Sequence, residues 1–366
     1  MSNAKQKGLI YKLGVAVTAL ALSAGLAAPA NATDLRGNGS SAVKNLLDAC
    51  IPEWSKWSSH NLAYPGGGSG AGRSGFLAGT VDLAFSDTPY SATESKPAAA
   101  NFVYIPASVF PIAVFANLPG FKGTLNLSSS TVADIYAGKI TKWNDPAIVA
   151  DNTVVNAKTK KKTVAKLPTT AITVYYRFDR SGTSEIFTDW LSKQAPTVWT
   201  KPKSGTFTSA FPGAAVPAGT FQSGNQSDGV ASGVASKPGA IGYGEVSYAT
   251  ERKMVVANIK NNNGEFIAPS SKAASLFANS YIPGENGVIS LDYTKKVKSG
   301  YTLTGFAFGL AYTAAANKNI GTQAVVKQFM DYVVNDCATE KAASLGYAKL
   351  SGALLKLADD QIAKIK

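Results

Sequence analysis

Residues 172–190 read ITVYYRFDRSGTSEIFTDW. The β-branched and aromatic run Ile172–Tyr176 predicts a buried strand. Arg177-Phe178-Asp179-Arg180 closes it, and Ser181-Gly182-Thr183-Ser184 leads into an amphipathic helix. A strand that passes through a charged turn into a helix is a building block of α/β folds. It also poses a chemical choice: Ser181 is a nucleophile on a sharp turn, or the turn grips an anion. A hydrolytic serine wants a base, usually histidine. The chain holds one histidine, His60, in the polar stretch SSHNLAY (58–64), which reads as an exposed loop residue. Nor is Ser181 set in a G-x-S-x-G elbow. Ser181 is therefore read as a hydrogen-bond donor.

Outward from that stretch, VDLAFSD (81–87) and IAVFAN (112–117) predict further buried strands. TVADIYAGKI (131–140), AVVKQFMDYVV (324–334) and the tail SGALLKLADDQIAKI (351–365) predict helices. In SAVKNLLDACI (41–51), Val43, Leu46, Leu47, Cys50 and Ile51 share one helical face, and Pro52 should end or kink that helix. Strands and helices alternate at short intervals, which predicts an α/β fold with mostly parallel sheets. The lysine-rich VNAKTKKKTVAKLP (155–168) reads as a basic loop or hairpin with a solvated tip; contact with a partner surface is the alternative.

Lys5, Lys7 and Lys12 precede an apolar run, 13–28, that is short for a membrane span, and Ala30-Asn31-Ala32 offers a cleavage site. The expectation is a signal peptide over 1–32, a mature chain from Thr33, no lipid anchor, and a periplasmic or secreted protein. The remaining length suits two domains. A net charge of +13 favours anionic partners without choosing among nucleic acid, membrane head groups and small oxyanions. The two cysteines, Cys50 and Cys337, are expected to pair in an oxidising compartment, bringing both chain ends into one domain; two separate buried thiols are the alternative.

Three segments pair glycine with small hydroxyl residues ahead of a predicted helix: GNGSS (37–41), GGGSGAG (66–72) and RSGTS (180–184). Glycine lets consecutive amides turn toward one point, and a helix N-terminus adds free donors and partial positive charge. Asp87 and Arg177 end two predicted strands, where open α/β sheets bind ligands. Asp179 is placed to orient the Arg177 fork. One histidine and two distant cysteines give no zinc cluster, and neither a phosphate-binding P-loop nor a dinucleotide fingerprint is present. No metal and no cofactor are expected.

Together these segments resemble the solute-binding protein of bacterial phosphate ABC transporters. Arg177-x-Asp179-x-Ser181-Gly182-Thr183-Ser184 is similar to that family's R-x-D-G-S-G-T-S loop. VDLAFSDTPYS (81–91), GGGSGAG, DIYAGKITKWNDPAI (134–148), PGAIGYGEVSYA (238–249) and LGYAKL (345–350) are similar to other family segments. The resemblance implies a two-lobed periplasmic-binding-protein fold of type II, each lobe a mixed β-sheet flanked by helices, joined by two hinge crossovers. Lobe 1 would comprise 33–115 with 303–366, and lobe 2 residues 116–302. Inorganic phosphate would lie between them, held by Ser41, the Ala42 amide, Ser69, Arg177, Ser181, the Gly182 amide and Thr183. Asp87 would accept the ion's proton and Asp179 would orient Arg177. An inner-membrane permease would be the partner of a monomer that neither binds nucleic acid nor catalyses a reaction. A secreted phosphatase on the same scaffold, or a basic surface adhesin, are the alternatives. Two departures stand out. The first loop reads G-N-G-S-S-A where G-A-G-A-T-F is usual. Arg180 replaces a glycine, where it is expected to point outward and raise the local positive potential.

Overall fold

The computed structural model describes residues 33–155, 158–313 and 322–366. The expected leader, 1–32, lies outside the described residues. The chain opens with β1 (Asp34–Gly39), α1 (Lys44–Ser58), β2 (Asn61–Ala63), α2 (Ser69–Ala78) and β3 (Leu83–Ser86). A fifteen-residue strand, β4 (Phe102–Ala116), then leads to β5 (Leu125–Leu127), α3 (Ser129–Tyr136) and α4 (Pro146–Asp151). Strands β6 (Thr153–Val155) and β7 (Lys162–Val164) form a hairpin. Next come β8 (Thr173–Arg177), α5 (Gly182–Gln194), α6 (Phe207–Ala210), β9 (Phe221–Gly224) and α7 (Gln226–Ser236). They are followed by β10 (Ala240–Glu245), α8 (Val246–Glu251), β11 (Val255–Lys260), β12 (Phe266–Ile267) and α9 (Ser271–Ala278). After a small hairpin, β13 (Ile282–Pro283) with β14 (Ile289–Ser290), strand β15 (Thr304–Tyr312) returns through the middle. Helices α10 (Gln323–Asp331), α11 (Ala338–Lys341) and α12 (Gly352–Ile362) complete the chain.

The principal sheet runs β2-β1-β3-β15-β4-β10-β8-β9, with β11 also on β4. Its outer ladders, β2-β1-β3 and β10-β8-β9, are parallel. Every ladder made by β4 or β15 is antiparallel. The sheet is thus mixed and not mostly parallel, because the chain crosses the molecule on β4 and comes back on β15. All fifteen β4 residues are buried, and its two prolines sit where pairing is irregular. Pro106 adjoins the register shift opposite Ala307/Phe308, and Pro111 marks the point where the partner changes from β15 to β10.

Helix α1 does not end at Pro52; it continues to Ser58. Pro52 and Asp48 are both exposed, so the carbonyl that loses its partner is left to water. Behind them Trp54 is fully buried against Phe329, with ring centroids 4.9 Å apart. Cys50 of α1 is bonded to Cys337, with Cα atoms 5.7 Å apart across 287 residues of sequence. For so long a loop the chain-entropy relation puts the contribution at about 5–6 kcal/mol, an upper figure. His60 is half-buried, its Nδ1 accepting the Thr33 amide at 3.0 Å and its ring 6.0 Å from Trp54. The expectation of an exposed loop residue is corrected: Thr33 and Trp54 lie against its ring. The basic segment is a hairpin with Lys160, Lys161 and Lys162 exposed.

Glu245 ends β10 fully buried. Burial pushes its carboxyl up to about 8, against bonds from the Ser247 amide at 3.0 Å and the Ser247 hydroxyl. The unfolded chain gives up this proton near 4.5, so between there and about 8 the folded chain holds the extra proton. The contribution of Glu245 to stability therefore falls as pH rises through that window and levels off above it. Thermal melts of Glu245→Gln should lose this part of the decline between about pH 5 and about pH 8. Parallel slopes in both proteins would refute the assignment.

Candidate functional site

The turn after β8 is fixed from both sides. The Phe178 amide bonds Gly224 O at 3.0 Å and the Ser181 amide bonds Gly205 O at 2.9 Å. Ser181 caps α5, its Oγ accepting the Ser184 amide at 3.1 Å. Below, Ile186, Phe187, Trp190 and Leu191 are buried, and Phe187 stacks on Tyr243 at 4.2 Å. The start of α5 is thereby anchored, with Gly182 lying against Ser69 of α2.

Arg177 is buried and its fork is spoken for. Nε donates to Asp179 Oδ1 at 2.7 Å, Nη2 pairs with Asp179 Oδ2, and Nη1 donates to Ser227 Oγ at 3.2 Å. Asp179 Oδ1 also accepts the Gln226 amide at 2.9 Å. Ser227, on the first turn of α7, lies 2.9 Å from Ser41 by hydroxyl oxygens, and its amide donates to Ser41 Oγ at 3.1 Å.

Asp87 follows β3 and is likewise buried. Thr183 Oγ1 donates to Oδ2 at 2.8 Å, and the Ser40 hydroxyl donates to Oδ1. The Asp87 amide donates to Ser69 Oγ at 3.0 Å. Burial raises the carboxyl above its ordinary range, while Ser40, Thr183 and the Arg177 and Arg73 guanidinium groups pull it back.

Two glycines allow this closeness. A Cβ on Gly182 would fall 2.5 Å from Ser69 Oγ and 2.8 Å from Asp87 Cβ. Gly68, before α2, has φ +91°, and a Cβ there would run into Asp179 Oδ2. The N-terminal ends of α1, α2, α5 and α7 thus converge on one region with Arg177 and Asp87 inside it. Hydrogen donors, one cation and one carboxylate can grasp a small anion that carries a proton to share.

The turn before α1 is held by three tyrosines. Tyr64 OH donates to Ser40 O at 2.9 Å, Tyr248 OH to Ser41 O at 2.7 Å, and Tyr347 OH to Ala42 O at 2.6 Å. Because the peptide unit is planar and trans, fixing these carbonyls also fixes the amides on their far sides. The Ala42 amide itself donates to Ser40 Oγ at 3.0 Å.

The expected site residues lie in one region, in two hydrogen-bonded sets: Arg177, Asp179 and Ser41 around Ser227, and Asp87 with Thr183, Ser69 and Ser40, the Ala42 amide on Ser40 and Gly182 packed against Ser69 and Asp87. In the first loop, Ser40 reaches Asp87, while Ser41 reaches Ser227. Ser181 turns its hydroxyl back into the helix cap. Arg180 is half-exposed, but its guanidinium is paired with Glu94 instead of pointing freely outward. Ser40, Ser227 and the three tyrosines were missed by sequence reasoning. Ser227 could have been found, since GNQSDG (224–229) is a fourth glycine-hydroxyl turn ahead of a helix. Among the described residues no cluster of His, Cys, Asp and Glu could hold a metal ion.

The strand order, the two crossing strands and the ring of helix N-termini define the periplasmic-binding-protein fold of type II. The model of the PBP superfamily domain matches residues 26–336. The phosphate-binding protein PstS of Haemophilus influenzae is 31% identical over 318 residues, covering 85% of this chain and 88% of that protein. PstS of Methanocaldococcus jannaschii is 28% identical over 352 residues, covering 91% and 86%. PstS of Xylella fastidiosa (strain Temecula1) is 32% identical over 240 residues, 65% of this chain; the match spans 60% of that protein's length. The chain belongs to the PstS phosphate-binding family of the PBP superfamily. Among solved structures, the periplasmic phosphate-binding protein PfluDING, bound with phosphate, superposes with a TM-score of 0.67 at 22% identity. That match covers 88% of this chain and 92% of the other. The phosphate-binding protein of Stenotrophomonas maltophilia superposes at 0.64 and 21% identity, over 89% and 92%. At these identities the two structures speak for the fold.

Proposed function

We propose that this chain binds inorganic phosphate with high affinity outside the cytoplasm and delivers it to an ABC-type importer in the inner membrane, making and breaking no covalent bond. The observation that carries the reading is Asp87, a buried carboxylate set among hydroxyls, helix N-termini and Arg177. Beside an anion a carboxylate is repulsive unless the ion brings a proton, and phosphate does while sulfate does not. The relatives' names agree, since each is called a phosphate-binding protein.

In this reading Arg177, Ser69, Ser41, Ser181, Thr183 and the amides of Ala42 and Gly182 hold the phosphate oxygens. Ser40 joins them, and Asp87 takes the proton. The entering ion takes over donors that otherwise satisfy one another. Residues 33–115 with 303–366 form one lobe and 116–302 the other, β4 and β15 being the crossings between them. Residues 1–32 direct export, the protein works as a monomer in the periplasm or beyond, and no helix among the described residues is long and apolar enough to cross a membrane.

Calorimetry tests this directly: phosphate should give a saturable heat and equimolar sulfate little. Equal heats for the two ions would remove the role of Asp87 and the reading with it. A phosphatase on this scaffold would instead release phosphate from an aryl phosphate, which is not expected here.

A further inference from the structure

We infer that Arg180 and Glu94 form an ionic clasp across the mouth of the cleft, and that this clasp sets how long a bound ion stays. The inference rests on the proposed closure of residues 116–302 against the rest of the chain over phosphate. Glu94 lies on the segment after β3 and is prepared in advance. Arg73 Nε donates to its Oε1 at 3.1 Å and the Ser91 amide to its Oε2 at 2.8 Å. Arg73 is itself buried and fixed, its Nη1 bonded to Ser86 Oγ at 2.9 Å and Thr88 O at 3.1 Å. Onto this rigid carboxylate Arg180 lays its Nη2 from the other side of the cleft.

The backbone reinforces the contact. Arg180 O accepts the Gly70 amide at 2.9 Å, so the arginine is docked on the first turn of α2. A Cβ on Gly70 would fall 2.6 Å from the Arg180 Cβ, which means the glycine is what lets the arginine stem lie flat there. Arg180 immediately precedes the cap Ser181, so whatever holds Arg180 holds the start of α5 against Ser69 and Asp87. Glu94 sits between the Arg73 and Arg180 guanidinium groups, with the Glu185 carboxylate near both and Lys203 beside Glu185, so charges of both signs alternate around the mouth. Glu94 is mostly shielded, with 18% of its side chain exposed, so this pair is less screened than an open surface bridge.

The test uses the full mature chain with its disulfide intact, comparing Glu94→Gln and Arg180→Met with the parent. Stopped-flow chase of bound phosphate should show dissociation about tenfold faster in each variant, about 1.4 kcal/mol. Association should change less than threefold for Glu94→Gln. The double variant should be no faster than either single one, and the parent's acceleration by added salt should vanish in Glu94→Gln. Dissociation within twofold of the parent, or effects that multiply in the double variant, would overturn the clasp. Hydrogen exchange reads the same contact without ligand. Amides in 66–72 and 178–184 should exchange faster in both variants, and unchanged exchange overturns the clasp whether or not phosphate binds. Failure of the parent to bind phosphate, with exchange accelerated in the variants, would instead overturn the proposed function and leave the clasp standing.

Discussion

Arg177→Ala should lower phosphate affinity about a hundredfold or more, about 3 kcal/mol in a calorimetric titration. The size follows from what the guanidinium touches. It is buried, spends two arms on Asp179 and the third on Ser227, and so offers its charge to the cleft without freedom to swing away. Truncation removes the cation and leaves the Asp179 carboxylate, held by the Gln226 amide, to face an anion unneutralised. Part of the loss is therefore repulsion, and adding Asp179→Asn to Arg177→Ala should recover some of it. Arg177→Lys should fall between, because an ammonium keeps the charge and loses the fork. An affinity within threefold of the parent would place the anion elsewhere.

Asp87→Asn should admit sulfate. In the parent protein, sulfate would leave the buried carboxylate opposite an oxygen with no proton between them, a mismatch worth about 3 kcal/mol, or roughly a hundredfold and more in affinity. The asparagine amide can donate to sulfate, so sulfate affinity should rise by about that factor while phosphate changes less. Acidity should do the same without mutation. Burial raises the Asp87 carboxyl, and once protonated it becomes a donor; discrimination against sulfate should therefore weaken as pH falls through its titration and persist above it. Competition calorimetry at several pH values checks both statements. A sulfate affinity indifferent to Asp87→Asn would show that some other group excludes that ion.

The start of α5 was legible because its chemistry is local: a β-branched strand, a charged turn and a capping serine lie within a dozen residues. Asp87 was legible for the same reason, sitting at the end of a short strand with a turn beside it, whereas Ser69 was singled out within its glycine loop only by the family resemblance. What escaped was set at long range. Ser40 and Ser41 are equivalent in sequence, and only the close approach of Gly39 to Phe85 decides that the first faces Asp87. Tyr64, Tyr248 and Tyr347 read as core aromatics until their hydroxyls are seen on consecutive carbonyls. Strand β4 was read only from Ile112 onward. Pro106 and Pro111 break the pattern of a single strand, and burial on every face removes the alternation that would have joined its halves. Patterning alone therefore read the sheet as mostly parallel, whereas the family resemblance implied the mixed sheet that the structure has. Of the two outcomes expected at Pro52, an end or a kink, the first does not occur: α1 runs on through it, where Asp48 and Pro52 are exposed and water can replace the lost hydrogen bond.

The Cys50–Cys337 link has a consequence for how the molecule is made. Synthesis runs from the N-terminus, so the Cys50 thiol waits without its mate until almost all of the polypeptide exists. With two cysteines only one intramolecular pairing is possible, and oxidation cannot scramble the chain into a wrong isomer. The covalent tie can therefore close only once nearly the whole chain has been made, and it can close in only one way within a molecule.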